Sequence, residues 1–210
     1  MIHGYHVILP HYGFWLPNDP RGSCSEFVAS WELARFGKTT RHLEQRTLAQ
    51  LSDEERALRD AMRKALLYPP VTLTGKQALS VAKGFQAQAE KSGYAIWASA
   101  ILPEHTHLVI ARHRYKVEQM ANLLKGAATT QLIEDHLHPL AQYAKPEERP
   151  PGMWARHQWK CTLTVTNRSR TPSPMSTPIR LKKASPNRSG NGSHPTEGWS
   201  MVGQHTCKLV

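Results

Sequence analysis

Residues 94–112 read YAIWASAILPEHTHLVIAR, and this stretch sets the expectation for the fold. Two runs rich in β-branched and apolar residues, one from Tyr94 and one from His107, are separated by the turn-forming pair Pro103 and Glu104. Strands joined by so short a turn pair side by side in opposite directions. The stretch therefore predicts two neighbouring antiparallel strands.

Helices are predicted on both sides of this strand pair. Residues 52–67, SDEERALRDAMRKALL, have a Ser cap, early acids and late bases, and they end before two prolines. Residues 74–93 have Thr74 as a cap and Gly93 as a stop, and residues 116–137 form a second amphipathic segment. The expected apolar stripe of the 74–93 helix is Leu79, Ala82, Phe85 and Ala89.

One more strand is predicted at each end of the series. Tyr5 to Leu9 form an apolar run before a turn-rich loop, and residues 153–161, MWARHQWKC, are the candidate for the last strand. The order strand, helices, strand, strand, helix, strand is that of a ferredoxin-like α+β sandwich. We therefore expect one domain over residues 1–161, with an antiparallel sheet and helices on one face.

The remaining residues, 162–210, differ in composition and are expected to form a disordered basic tail. Ser, Thr, Pro, Asn and Arg dominate them, and such a segment has almost no apolar surface to bury. Seven basic residues against one acid give the tail +6 of the formal +11 of the chain, leaving +5 for the domain. The charge of the domain alone is thus a weak argument for a nucleic-acid partner.

The sequence lacks the marks of a membrane or secreted protein. No run approaches the roughly 18 apolar residues of a membrane span, and the N-terminus has no signal-peptide pattern. Cys24, Cys161 and Cys207 are odd in number and far apart, which favours neither a disulfide framework nor a zinc ribbon. A cytoplasmic location without a membrane partner is the expectation.

The centre of interest is the pair His105 and His107. Side chains at i and i+2 of a strand share a face, so the two imidazoles are predicted to lie together on one exposed face as ligands of a divalent metal. A chain with 12 histidines should contain about one His-x-His by chance, however, and His136 and His138 form a second. Ordinary surface or core histidines are the alternative.

The context of the pair favours the metal interpretation. Residues 102–110, LPEHTHLVI, resemble a motif of the REP-associated tyrosine transposases, within the single-tyrosine HUH transposases of the IS type: a hydrophobic residue, Pro, an Asn, Asp or Glu, His, any residue, His, then an apolar strand. The opening YGFWLPNDPRGS, the LLKG of the later helix and GMWARHQWK are similar as well. The likeness covers roughly residues 3–161 and is most specific in the His motif.

This resemblance implies a function on DNA. In the family the paired histidines hold Mg²⁺ or Mn²⁺ at the scissile phosphate, and a Tyr attacks it to give a 5′-phosphotyrosine and a free 3′-OH. The implied partner is single-stranded or hairpin DNA, and a homodimer is expected. The expected DNA contacts are Arg112, Arg114, Lys125 and Trp154, with Trp15 and Trp159 as further candidates for stacking on bases. The alternative for the basic residues is a solvated charge, and the alternative for the tryptophans is packing in the core.

The family nucleophile has no counterpart in this sequence. It belongs to a helix after the Trp-containing strand, in a motif like Tyr-Val/Ile-x-x-Asn-Pro, which is absent here. After His107 only Tyr115 and Tyr143 remain, and both precede Trp154. Tyr143 is the fallback candidate for the catalytic tyrosine.

A frameshift explains the missing motif. Joining the last base of each codon to the first two bases of the next, from Cys161 on, permits the peptide YLDSDESIANAIAYVDANP. Because Met175 has a single codon, the shifted codon that spans Pro174 and Met175 must end in AT, which permits Tyr. We interpret residues 162–210 as a frameshift product, the alternative being a native disordered tail.

Three functions are compatible with these residues. The first is a DNA transposase that nicks and rejoins single strands where the tyrosine is present, and the second is an inactive protein of the same fold that binds DNA hairpins. The third is a metal-dependent phosphoesterase for small molecules, which would need further ligands near His105 and His107, where only Glu104 is close in sequence.

Overall fold

The computed structural model describes residues 1–17, 31–36, 46–156 and 158–164. The expected disorder of the tail and its frameshift interpretation concern residues that lie almost wholly outside these ranges. None of the described helices is long and apolar enough to cross a membrane.

The described residues form four strands: β1 (Ile2–Pro10), β2 (Ile96–Ile101), β3 (His105–Ala111) and β4 (Trp159–Thr164). They also form four α-helices: α1 (Trp31–Ala34), α2 (Asp53–Lys64), α3 (Gly75–Ser92) and α4 (Val117–Glu134). Short 3-10 helices lie at Leu48–Gln50 and Ala141–Tyr143.

The four strands form one antiparallel sheet in the order β2-β3-β1-β4. Strand β3 therefore lies between β1 and β2, and along the chain α1, α2 and α3 lie between β1 and β2, and α4 lies between β3 and β4. This is the ferredoxin-like arrangement, and the predicted α+β sandwich is confirmed. Strand β4 continues to Thr164, three residues past the expected boundary at residue 161, whereas Trp154 makes only an isolated bridge to His11.

Helices α3 and α4 cover one face of the sheet. Strand β3 alternates between buried and half-buried side chains, and Leu108 and Ile110 on its buried face are fully enclosed. Val7 and Leu9 of β1 join the same core, which the helices complete with Val81, Phe85, Met120, Leu124 and Leu132. Because side chains alternate along a strand, His105 and His107 point to the opposite face of the sheet.

The ends of α3 agree with the sequence, and its predicted stripe agrees in part, because Phe85 is buried and Ala89 packs against the core. Thr74 caps the N-terminus in a reciprocal pair with Gln77, and Gly93 ends the helix in the left-handed conformation, at φ 70°. Leu79, expected in the stripe, is 51% exposed. The buried residues are Ser80, Val81, Gly84 and Phe85.

The physical reason is the close approach of α3 to α4, which selects small residues at the contact. A Cβ atom added to Gly84 would lie 2.7 Å from Ala128 Cα and 2.8 Å from the Ala127 carbonyl oxygen, both backbone atoms. A larger apolar residue therefore cannot replace Gly84 without separating the helices. A pattern based on hydrophobicity alone ranks glycine and serine as poor core residues and so leaves Ser80 and Gly84 out of the buried face.

We expect opposite effects from alanine at two helix glycines. Gly84→Ala should lower the free energy of unfolding by about 1–3 kcal/mol, because overpacking forces backbone shifts. Gly126→Ala, in α4, should raise it by up to about 1 kcal/mol, because alanine favours the helix and a Cβ there meets nothing within 4 Å. Urea denaturation of both variants tests this, and equal effects of the two substitutions would contradict the described helix packing.

Candidate functional site

The paired histidines lie together on the face of the sheet opposite the helices, as predicted. His105 and His107 are half-buried on β3, whereas Thr106 between them is fully buried on the core face. Hydrogen bonds to β1 on one side and β2 on the other fix this orientation, since His107 is paired with Ile8 and with Ala100. A shift of one residue in either register would turn both imidazoles into the core.

The two imidazoles converge through their Nε2 atoms. These atoms are 2.9 Å apart, and the ring planes are inclined by 69°. Two lone pairs at this distance repel each other unless a proton or a cation lies between them. Ligands about 2.1 Å from an octahedral ion, and at right angles to each other, stand about 3 Å apart. The Nε2 pair therefore has the separation of two adjacent ligands of one metal ion.

The surroundings of His107 favour its neutral form. Burial lowers the pKa of His107 below its ordinary value, so the ring is uncharged at neutral pH and one nitrogen keeps a lone pair. The second ring nitrogen, Nδ1, is 2.9 Å from Nε2 of His6 on the neighbouring strand β1. A neutral imidazole with a hydrogen-bonded second nitrogen is the usual state of a histidine ligand.

The ring of His105 is packed by an aromatic residue from the loop after β1. Phe14 is nearly parallel to His105, with ring centroids 5.6 Å apart and an interplanar angle of 14°. Trp15 packs edge-on against Phe14 at 5.4 Å and is 42% exposed. The loop over residues 12–17, YGFWLP, is thus adjacent to the histidines. In the sequence, only the family resemblance connected this loop with them.

The second His-x-His pair has none of these properties. His136 follows α4 in a left-handed backbone conformation, at φ 55°, and is exposed. His138 is 6% exposed, and its Nδ1 accepts a hydrogen bond from the Leu140 amide at 3.3 Å. The turn does not give side chains at i and i+2 a common face, because that alternation belongs to extended backbone.

The described ranges contain no group of three or more His, Cys, Asp or Glu side chains that is arranged to hold a metal ion. Two imidazoles alone leave most of the positions around an octahedral ion to other donors. Phosphate oxygens and water are the donors that Mg²⁺ and Mn²⁺ prefer. The geometry therefore fits a site that a phosphate ligand completes.

Lys125 and Trp154 come together, but on the core side of the molecule. Lys125 is 7% exposed, and its Nζ donates to the carbonyl oxygen of Ala155 at 3.1 Å. Trp154 Nε1 donates to the Lys125 carbonyl and to Thr129 Oγ1, both at 3.1 Å. In this arrangement the two side chains join α4 to the segment before β4 and present little surface to a DNA phosphate or base.

The buried ammonium of Lys125 should make stability depend on pH. Burial lowers its pKa from 10.5 to about 8, so between these values the unfolded chain binds more protons than the folded chain. The free energy of unfolding should therefore rise by about 2 kcal/mol from pH 8 to pH 10, relative to Lys125→Met. Urea denaturation of both chains across this range measures the difference, and parallel pH profiles would show that Lys125 is not buried as described.

Arg112 and Arg114 are exposed beyond the far end of β3. At about 3.3 Å per residue, Arg112 lies about 17 Å along the chain from His107, and the Arg114 guanidinium lies over the Tyr115 ring at 5.2 Å. The two arginines would therefore contact DNA that extends away from His105 and His107.

Trp159, by contrast, is on the histidine face, edge-on to His6 at 6.3 Å.

Tyr143, the fallback nucleophile, is in the 3-10 helix after α4. It is 40% exposed, and its ring lies 5.4 Å from that of Tyr68. Tyr68 in turn contacts Tyr12, and both pack against the core. The ring contacts that position Tyr143 are therefore at the margin of the core, and its catalytic role stays a prediction.

The sequence analysis did not identify His6, which is at the site, or Trp97, which lies on the same face of the sheet nearer the other end of β3. His6 is one of three histidines in residues 3–11, and only the β1–β3 register brings it to His107. Trp97 is 53% exposed and lies over Gly4, where an added Cβ would be 2.8 Å from the ring. Gly4 shares the face of His6, so Trp97 is on the histidine face as well.

No protein-family model matches the chain, and no curated protein matches its sequence. Among solved structures, the chain is similar to a candidate transposase from Deinococcus radiodurans, determined at 1.90 Å resolution. The two share 13% sequence identity, and the alignment covers 79% of this chain and 81% of that chain with a TM-score of 0.40.

Proposed function

We propose that this protein binds single-stranded or hairpin DNA through a divalent metal held by His105 and His107. We further propose that it nicks and rejoins the strand where a nucleophilic tyrosine reaches the site. The observation that carries the proposal is the 2.9 Å separation of the two Nε2 atoms on the face of the sheet opposite α3 and α4. Two imidazole nitrogens so placed suit adjacent positions on a divalent cation.

The residues of the chain have separate tasks in this proposal. His105 and His107 would supply two adjacent nitrogen ligands, and β3 fixes their separation. Bound Mg²⁺ or Mn²⁺ would offset the charge that develops on the scissile phosphate. The tyrosine oxygen would form a bond to phosphorus while the bond to the 3′ oxygen breaks, and the leaving oxygen would take up a proton. The phosphotyrosine so formed keeps the bond energy needed to rejoin the strand.

Aromatic side chains on or beside the histidine face support DNA as the phosphate ligand. Trp15 and Trp97 are 42% and 53% exposed, and each rests on another group, Phe14 and Gly4 respectively. Exposed aromatic rings stack on unpaired bases regardless of sequence. Single-stranded DNA offers both phosphates for the metal and unstacked bases for the rings, whereas a small phosphate ester offers only the phosphate.

The proposal predicts that DNA binding and Mn²⁺ binding strengthen each other. Fluorescently labelled single-stranded or hairpin DNA should bind the full chain about 10-fold more tightly with Mn²⁺, a coupling of about 1.4 kcal/mol. The affinity should fall as salt rises, because phosphate contacts release counterions. His105→Ala should retain the salt dependence and lose the Mn²⁺ effect, and an unchanged Mn²⁺ effect in that variant would contradict the proposal.

A further inference from the structure

His6 and His107 lie on the same face of neighbouring strands. The β1–β3 register pairs His107 with Ile8 and His6 with Val109, so the two histidines are diagonal neighbours. Diagonal neighbours are close enough for long or aromatic side chains to touch. The same hydrogen bonds that orient His107 thus fix the position of His6.

The two rings meet edge to edge rather than face to face. His6 Nε2 is 2.9 Å from His107 Nδ1, the ring planes differ by only 12°, and the centroids are 5.2 Å apart. That centroid distance is close to the nitrogen–nitrogen distance plus the radii of two rings, so both nitrogens lie near the line between the ring centres. This is the geometry of an in-plane hydrogen bond.

Only one direction of this hydrogen bond is compatible with a metal on His107 Nε2. A ring that binds metal through Nε2 has its one proton on Nδ1, so His6 could donate to Nδ1 only if that proton were on Nε2, where it would block the ligand lone pair. If His107 donates from Nδ1, Nε2 keeps its lone pair, which points at His105 Nε2. The hydrogen bond to the second ring nitrogen therefore selects which nitrogen can bind metal.

We propose that His6 is a positioning residue for the metal site: its Nε2 accepts the Nδ1–H of His107 and so fixes the tautomer and ring plane of that ligand. The inference rests on the proposed function, because it assigns a role relative to a metal on His105 and His107. Trp159 packs edge-on against His6 at 6.3 Å and limits the movement of its ring. His105 is held differently, by the parallel ring of Phe14.

Two substitutions at His6 separate the acceptor from the ring. His6→Phe keeps a planar ring and removes the acceptor, so it should weaken Mn²⁺ binding about 10- to 100-fold. His6→Gln places an amide oxygen near the position of Nε2, so its affinity should stay within about threefold of wild type. Calorimetric titration of the full chain with MnCl₂ measures both, with exposed His3→Gln on the same strand as the matched control.

The wild-type chain provides a test that needs no substitution. With ¹⁵N-labelled histidine and diamagnetic Zn²⁺, NMR should show His107 protonated at Nδ1 and a ¹⁵N–¹⁵N coupling across the hydrogen bond to His6 Nε2. Absence of that coupling would overturn the proposal even if His6→Phe failed to fold.

The outcomes distinguish this inference from the proposed function. Wild-type affinity in His6→Phe, or an equal loss in His6→Gln and His6→Phe, would overturn the acceptor role and leave the metal site intact. Direct coordination of Mn²⁺ by His6, seen as a third nitrogen ligand that His6→Phe removes, would also overturn it. No binding of Mn²⁺ by the wild-type chain would overturn both.

Discussion

Replacing His105 or His107 with alanine is expected to weaken Mn²⁺ binding by more than about 100-fold, since even the loss of an outer partner of a metal ligand costs 10- to 100-fold. Each substitution removes one of the two Nε2 donors that lie 2.9 Å apart, and a single imidazole holds the ion far more weakly than two. The double variant should bind no Mn²⁺ at the protein concentrations of calorimetry. Both rings are half-buried and lie outside the core that α3 and α4 form with the sheet, so the loss should come without unfolding.

The second His-x-His pair of the chain provides the matched control. His136→Asn removes an exposed histidine from a left-handed position that asparagine tolerates, so it should leave both the fold and Mn²⁺ affinity unchanged. A comparable loss in His136→Asn would show that Mn²⁺ binds histidines of the chain without selecting the pair on β3. Retention of wild-type Mn²⁺ affinity in His105→Ala and His107→Ala would likewise show that the ion does not select the pair on β3.

The chain as written is expected to bind DNA without forming a covalent adduct. Phosphotyrosine formation requires a tyrosine oxygen about 3–3.5 Å from the phosphorus, and the contacts of Tyr143 are with Tyr68 at the margin of the core. Replacing residues 162–210 with the shifted-frame peptide that begins YLDSDES should introduce the missing tyrosine. That chain should form a Mg²⁺- or Mn²⁺-dependent DNA adduct that resists denaturing electrophoresis.

Two variants decide how an adduct forms. In the frame-restored chain, His105→Ala should abolish the adduct while Tyr143→Phe should not change it. If the written chain itself forms an adduct and Tyr143→Phe removes it, then Tyr143 is the nucleophile and the frameshift interpretation is wrong. If neither chain forms an adduct but both bind DNA hairpins, the protein belongs to the alternative class of binding proteins without cleavage.

Local patterns in the sequence were sufficient for the fold and for the two histidines. The hairpin-like run over residues 94–112, the Thr74 cap and the Gly93 stop each depend on neighbours in sequence, and the structure confirms all three. The shared face of His105 and His107 follows from the alternation of a strand, which needs no knowledge of the partner strands. Nearby residues in a regular element are predictable because one backbone geometry relates them.

Contacts between distant elements could not be predicted in this way. His6 reaches His107 only through the register of β1 on β3, and Gly84 is buried because α4 lies close against it. Lys125 was expected at the surface because a lysine near a proposed DNA site suggests a phosphate contact. Its burial depends on the Ala155 carbonyl, 30 residues further along the chain. Such placements follow from packing geometry, which a pattern of residue types does not contain.

His105 and His107 are proposed to bind one metal ion together. Pulsed EPR of the Mn²⁺-loaded full chain counts the nitrogens coordinated directly to the ion. We expect two imidazole nitrogens in the wild-type chain, one in His105→Ala and one in His107→Ala where the remaining affinity permits loading. A wild-type spectrum without directly coordinated nitrogen, or one that the His105→Ala and His107→Ala substitutions leave unchanged, would contradict the account.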